Sequence, residues 1–250
     1  MKKVILHIGA GKCGSSALQE YLSKVVHLTD GDGKQVSYVI LRPDGSLLSG
    51  KKISDSARSS VYQYASSVIL PNLDVRIDTE SGYSELDKIP AETIIISCEG
   101  WINYPELASE KLAWLQDHQV ECDVYIRPPV EWLNSAWWQW GAWCGIDFAT
   151  WISKSLDSTL WVKKISKWRD LSFVDKINIR LMPIDIVVDF LNLHGYTHAN
   201  RSGHENAATR RSNTSLPGSI LRVYQKHPEL RASPHDSRID FTLSLSLIHI

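Results

Sequence analysis

Residues 3–16, Lys-Val-Ile-Leu-His-Ile-Gly-Ala-Gly-Lys-Cys-Gly-Ser-Ser, decide the fold. Lys3 to Ile8 is a short apolar run of the kind that forms a buried strand, and the three glycines that follow, at 9, 11 and 14, end it. From Ser15 to about Val26, the residues Leu18, Tyr21, Leu22 and Val25 recur at helical spacing. Strand, glycine-punctuated loop and helix in that order open a βαβ unit.

The rest of the chain continues the alternation. Val36–Leu41 reads as a strand, and Pro43-Asp44-Gly45 turns it back into Ser46–Leu48 as a small hairpin. Ser56–Leu70 has helical spacing. Thr93–Ser97 is an unbroken run suited to a central strand buried on both faces. A helix over Pro105–His118 precedes a strand at Cys122–Arg127, and Pro128-Pro129 resets the chain into a helix over Pro129–Cys144, because proline costs little in a first turn. Further helices are expected over Asp147–Leu156, Ser158–Leu171, Ile184–His194 and Leu216–Lys226, with a strand at Lys176–Met182. This predicts an α/β fold: a mostly parallel central sheet flanked by helices, in a three-layer sandwich like that of phosphate-loop nucleotide-binding proteins. His194–Ser215 is the least patterned stretch and reads as a polar surface flap.

Bulk properties narrow the class. The chain has 250 residues, 43% apolar and 22% charged, which is globular composition with room for a real core. Its net charge of −1 excludes a general attraction to nucleic acid or an anionic membrane, so an anion site must be local. Cys13, Cys98, Cys122 and Cys144 form no CxxC pair, which fits a reducing compartment better than a disulfide framework or zinc knuckle. The apolar run after Met1-Lys2-Lys3 is too short for a signal-peptide core, and nothing approaches a membrane span. The expected location is the cytoplasm. Residues 1–243 read as one domain. The last residues, 244–250, read as a non-native tail, since Leu245–Ile250 matches a translated sequencing adapter; an apolar terminal strand is the alternative.

The chemistry concentrates at two places. Gly11, Lys12, Cys13, Gly14, Ser15 and Ser16 lie at the carboxyl end of a strand and the amino end of a helix, where a parallel sheet puts its ligands. Free amides of a first helical turn, the positive end of the helix dipole and a lysine together make an anion cradle, and two hydroxyls stand ready to donate or to cap. The nucleoside-triphosphate loop carries lysine after its last glycine; here Lys12 precedes Gly14. At the second place, Arg127 ends a predicted strand, where its fork suits a phosphate, and Ser135 lies under two helical turns on, about 9 Å along the axis from Pro129 by helical rise.

Ile8–Gln19 resembles the 5′-phosphosulfate loop of sulfotransferases that use 3′-phosphoadenosine 5′-phosphosulfate (PAPS), bacterial ones in particular, and Tyr125-Ile126-Arg127 with Ser135 resembles that family's 3′-phosphate motif. Trp168–Met182, Phe190–Tyr196 and Arg211–Ser215 are similar to later blocks of bacterial members. Cys13 stands where the family has serine or threonine, and Gly11 where it has a bulkier residue. The resemblance implies sulfuryl transfer from PAPS to a hydroxyl acceptor, carbohydrate being the preferred class, with adenosine 3′,5′-bisphosphate as product and no metal. It assigns Lys12 to the departing 5′-phosphate, Gly14, Ser15 and Ser16 to holding that phosphate, and Arg127 and Ser135 to the 3′-phosphate.

Glu99, just past the Thr93–Ser97 run, faces the same crevice by position and is the candidate base; a capping or lysine-pairing glutamate is the equal alternative. His7, inside the first strand, reads as a satisfied core histidine. The tryptophans between Trp101 and Trp168 read as packing or oligomer contact before sugar stacking. His194, His198 and His204 lack a carboxylate or cysteine at ligand spacing, which argues against zinc. Arg201, Arg210 and Arg211 form a local basic cluster that reads as solvated surface. Two rival functions stand: a small-metabolite kinase, against which the position of Lys12 speaks, and a non-catalytic binding module on the same fold.

Overall fold

Five parallel strands set the frame on which everything else is hung. A computed structural model of the protein describes residues 1–25, 27–42, 44–60, 62–67, 86–143, 145–198 and 218–230. Strand β1 (Lys3–His7) runs parallel to β5 (Thr93–Ser97) on one side and β6 (Gln119–Ile126) on the other. Beyond β5 lies β3 (Gln35–Leu41), and beyond β6 lies β7 (Lys176–Leu181), both parallel to their neighbours. Val4, Ile5, Leu6 and Ile94, Ile95, Ile96 are all fully buried, as a parallel strand covered on both faces requires. Each such side chain contributes about 1.5–3 kcal/mol by leaving water.

The sheet closes with antiparallel pieces. β2 (Leu28–Thr29) joins β3, β8 (Thr197–His198) joins β2, and β4 (Leu47–Ser49) folds back on β3 as the expected hairpin. The order is therefore β7-β6-β1-β5-β3-β2-β8, with β4 off the path. After β1 the chain lays β2, β3 and β5 on one side and then crosses to lay β6 and β7 on the other, β8 alone returning to the far edge, so the winding reverses at β1. Open α/β sheets place ligands at such a reversal, outside the carboxyl ends of the strands. Helices flank the sheet in two packed groups: α1 (Ser15–Lys24) with α2 (Lys51–Ser59) and α7 (Ile186–His194), and α3 (Pro105–Lys111) with α6 (Trp161–Arg169).

The chain divides into two compact units, Met1–Ile126 with Trp161–Ser212, and Arg127–Leu160 with Asn213–Ile250. The first holds the sheet. Described elements of the second are α4 (Pro129–Gln139), α5 (Phe148–Ser155) and α8 (Gly218–Lys226), with short 3-10 turns between. Its core is aromatic: Trp137 meets Phe148 and Trp151 edge-on, with ring centroids 5.1 and 5.6 Å apart. Trp101 and Trp168 are fully buried in the first unit, where the Trp168 indole N–H donates to the Trp101 carbonyl at 3.2 Å. Trp114, Trp132, Trp137, Trp151 and Trp161 are buried too, so packing accounts for most of the tryptophans.

Some boundaries move. α2 begins at Lys51 and ends before Ser60, whose backbone is extended; Ile53 and Ala57, four apart, are the residues it buries. β6 starts at Gln119, three residues before the apolar run, because its two inward charges are partnered. Glu121 lies 2.8 Å from Lys3 and 3.5 Å from Lys176, and Asp123 lies 2.6 Å from His194. His194 is thus the buried last residue of α7, its imidazole held by a carboxylate, and not part of a polar loop. Cys13, Cys98 and Cys122 are buried thiols outside any disulfide. Among the described residues no helix is long and apolar enough to cross a membrane. His204, Arg201, Arg210, Arg211 and the tail 244–250 lie outside the described residues.

Candidate functional site

The carboxyl end of β1 is pinned from both sides. Ile8 N–H donates to the Asp123 carbonyl at 3.1 Å, Cys98 N–H to the His7 carbonyl at 3.0 Å, and Ile102 N–H to the Ile8 carbonyl at 3.3 Å. From this anchored point the chain makes a tight loop into α1. Gly9 takes φ +36°, Lys12 φ +68° and Gly14 φ +89°. Lys12 is one of two described non-glycine residues in the left-handed region, which costs an L-residue about 1–2 kcal/mol. Such strain persists where the surroundings over-determine it, and it clusters at functional loops. A β-carbon on Gly14 would sit 3.1 Å from Ile186 Cδ1, so the start of α7 holds the loop from the side.

Gly14 is the N-cap of α1, and its carbonyl accepts from Ala17 and Leu18 at 3.0 and 3.2 Å. No side chain caps this helix and no acidic residue stands in its first turn. α5 and α7 differ: Asp147 accepts from the Thr150 amide, and Asp185 from those of Val187 and Val188. Among the described residues the amides of Gly14, Ser15 and Ser16 find no backbone acceptor. The positive end of α1 and its donors are therefore left to whatever the loop holds, which suits an oxyanion.

The six loop residues expected from sequence do not face the same way. Cys13 is fully buried, its amide donating to the Ala10 carbonyl at 3.1 Å. Ser15 is 1% exposed and its Oγ has no hydrogen-bond partner among the described residues. Ser16 is half-buried, and its hydroxyl makes a long contact, 3.4 Å, to the Tyr64 hydroxyl. Gly11 and Lys12 are half-buried on the loop itself.

Glu99 is half-buried two residues past β5, beside the carboxyl end of β1. Its charge acts on Tyr64: burial first, and then the Glu99 carboxylate, raise the phenol, while the Ser16 hydroxyl works the other way. The Cys98 thiol is pushed up to about 12, mainly by burial and in part by Glu99. Loop, Ser16, Tyr64 and Glu99 therefore form one neighbourhood. The sequence does not single out Tyr64, reading it into a helix over Ser56–Leu70, whereas the helix ends at Ser59 and Tyr64 lies in the irregular stretch that follows.

Arg127 and Ser135 belong to the second compact unit, both half-buried: Arg127 directly follows β6, and Ser135 lies in the second turn of α4. His7 is fully buried, as expected of a core histidine, but only half satisfied. Its Nδ1 lies 2.7 Å from Ser97 Oγ, and its Nε2 has no partner. Burial lowers its pKa to about 4, against a smaller opposing pull from Asp123, so the ring is neutral at neutral pH.

No protein-family model and no curated protein matches the chain in sequence. Among solved structures, a sulfotransferase from Alicyclobacillus acidocaldarius aligns with all of this chain and 96% of its own, at 18% identity and a TM-score of 0.44.

Proposed function

We propose that the protein is a sulfotransferase that takes the sulfuryl group from PAPS and delivers it to a hydroxyl acceptor. The observation that carries this reading is the start of α1: a helix without a side-chain cap whose first three amides find no backbone acceptor among the described residues, reached through a left-handed Lys12 and Gly14 at the reversal point of a parallel sheet. The order of lysine and glycine in that loop supports a phosphosulfate over a nucleoside triphosphate.

Sulfuryl transfer, like phosphoryl transfer, gains most from holding donor and acceptor in line and from neutralising charge on the leaving group. The amides of Gly14, Ser15 and Ser16 would bind the 5′-phosphate, and the Lys12 ammonium would meet the negative charge that grows on it. Glu99 would accept the proton of the acceptor hydroxyl. Arg127 and Ser135 would take the 3′-phosphate, a role supported by their sequence motif alone. Carbohydrate is the acceptor class favoured by the family resemblance.

Thermal unfolding with added nucleotide tests the reading. Adenosine 3′,5′-bisphosphate at one hundred times its Kd should stabilise the protein by about 2.7 kcal/mol. ATP with magnesium should leave the transition in place. The reverse pattern would establish a kinase instead. Stabilisation by the bisphosphate without sulfation of any sugar or phenol panel would leave a nucleotide-binding module.

A further inference from the structure

The loop rests on a row of polar side chains that the sheet holds in register. Ser97, His7, Asp123 and Asn178 are successive Cα partners on β5, β1, β6 and β7. In-register residues of parallel strands project to one face, so these four line up beneath the loop. Two covering helices reach into the row. Gln19 on α1 donates through Nε2 to Ser97 Oγ at 3.0 Å, and His194 on α7 meets Asp123 Oδ2 at 2.6 Å. Asn178 Nδ2 donates to the other Asp123 oxygen at 2.9 Å. Asp123 is thus satisfied by Asn178 and His194, and His7 by Ser97 on one nitrogen only.

Two buried polar atoms beneath the loop, His7 Nε2 and Ser15 Oγ, have no partner among the described residues and are not hydrogen-bonded to one another, yet both border the corner at Gly9. A β-carbon built on Gly9 would lie 3.1 Å from the first and 2.9 Å from the second. A glycine at this corner brings the backbone down onto both. Buried polar atoms without partners are costly, and two of them at one corner under a ligand loop call for a reason.

We infer that His7 is a positioning residue of the loop: held as the Nε2–H tautomer, it donates towards Ser15 Oγ and so commits the Ser15 hydroxyl hydrogen to an oxyanion bound at the start of α1. Two features set the tautomer. Ser97 Oγ already accepts from Gln19, so its own hydrogen goes to His7 Nδ1 or to the neighbouring Tyr38 hydroxyl, and directed at His7 it makes Nδ1 an acceptor. The buried Asp123 carboxylate lies on β6, the side of β1 away from Ser97, and its field favours the ring proton on the far nitrogen. The hydrogen-bond direction then runs Gln19 to Ser97 to His7 to Ser15 and ends at the anion. His7 exchanges no proton with substrate in this scheme.

The inference rests on the loop binding an oxyanion, as proposed above, but its first test does not. Nitrogen-detected imidazole NMR of the ligand-free wild-type protein at neutral pH, with the His7 signal assigned by its loss in His7→Gln, should show the proton on Nε2; a proton on Nδ1 overturns the inference. The second test titrates adenosine 3′,5′-bisphosphate into wild type, His7→Phe, His7→Gln, Ser15→Ala and the His7→Phe/Ser15→Ala double variant. His7→Phe should bind about 10-fold more weakly, the effect of one lost charge-assisted hydrogen bond. His7→Gln, whose amide reaches the same corner, should recover most of it. The double variant should bind no worse than the weaker single one, because both residues act as one unit. Additive losses, or full affinity in His7→Phe, overturn the inference. Failure of the wild type to bind the bisphosphate defeats the proposed donor, and the tautomer still decides for or against His7.

Discussion

Lys12 offers a way to separate backbone from side chain at the centre of the loop. Its φ of +68° is one that glycine adopts freely and other residues do not. Lys12→Ala and Lys12→Gly both remove the ammonium, so the difference between them isolates the backbone. In the left-handed region alanine costs about 1–2 kcal/mol that glycine does not. Glycine in turn loses about 0.4–1 kcal/mol through the greater freedom of its unfolded chain. The balance makes the glycine variant the more stable by about 0.5–1 kcal/mol, a rise in Tm of roughly 2 °C for a chain of this size. The sign is the reverse of that at an ordinary surface position. Activity should not follow stability. Both variants should lose about 10²–10³-fold in kcat with PAPS, the usual cost of removing one group that stabilises developing charge. Calorimetry on the pair, beside single-turnover sulfation, checks this. An alanine variant as stable as the glycine one would refute the backbone argument, and retained turnover in either would refute the role of Lys12.

Three further outcomes are expected. His7 has a folded pKa of about 4 against an ordinary 6.5, so on acidification the unfolded chain takes up the proton first; the stability tied to this neutral ring is complete above pH 6.5 and falls away between about 6.5 and 4, by about 3 kcal/mol in total. Urea unfolding across that range should show the loss in wild type and a shallower one in His7→Gln, and parallel curves would count against it. Gly14→Ala should destabilise by about 2 kcal/mol, from a φ of +89° and a β-carbon 3.1 Å from Ile186, with Ile186→Val restoring only the packing part in a double-mutant cycle. Glu99→Gln should bind adenosine 3′,5′-bisphosphate within about 2-fold of wild type yet slow sulfation by about 10²–10⁴, the range for removal of a general base; equal loss of binding and turnover would reassign Glu99 to the cradle.

The frame of the fold was legible where burial leaves a local mark. β1 and β5 fall within about one residue of the apolar runs that announce them, because a strand covered on both faces has little room for polar residues. Where that rule is broken, the sequence misleads. Glu121 cuts the apparent run of β6 short at Cys122, and only the positions of Lys3, Lys176 and His194 reveal that Glu121 and Asp123 are both partnered. β2 and β8 are two residues each and pair across 168 positions, too short for a period and too distant for a turn signal.

The candidate site divides along the same line. The loop of Lys12 and Gly14 is visible in sequence because a strand-to-helix turn is a local device, written in consecutive residues. Ser15 and Ser16 look equivalent in sequence, but neighbours on a helix point about 100° apart. One therefore turns into the core towards His7, and the other out towards Tyr64. The layer beneath cannot be read at all without the sheet register, since Ser97 lies 90 residues from His7 and 78 from Gln19. In-register pairing converts four unremarkable polar residues on separate strands into one row, and a single glycine at position 9 lets the loop settle on it. A loop motif grafted onto a sheet without that row would keep its amides and its lysine. It would lose the donor that fixes Ser15, and with it the direction of the last hydrogen bond to the ligand.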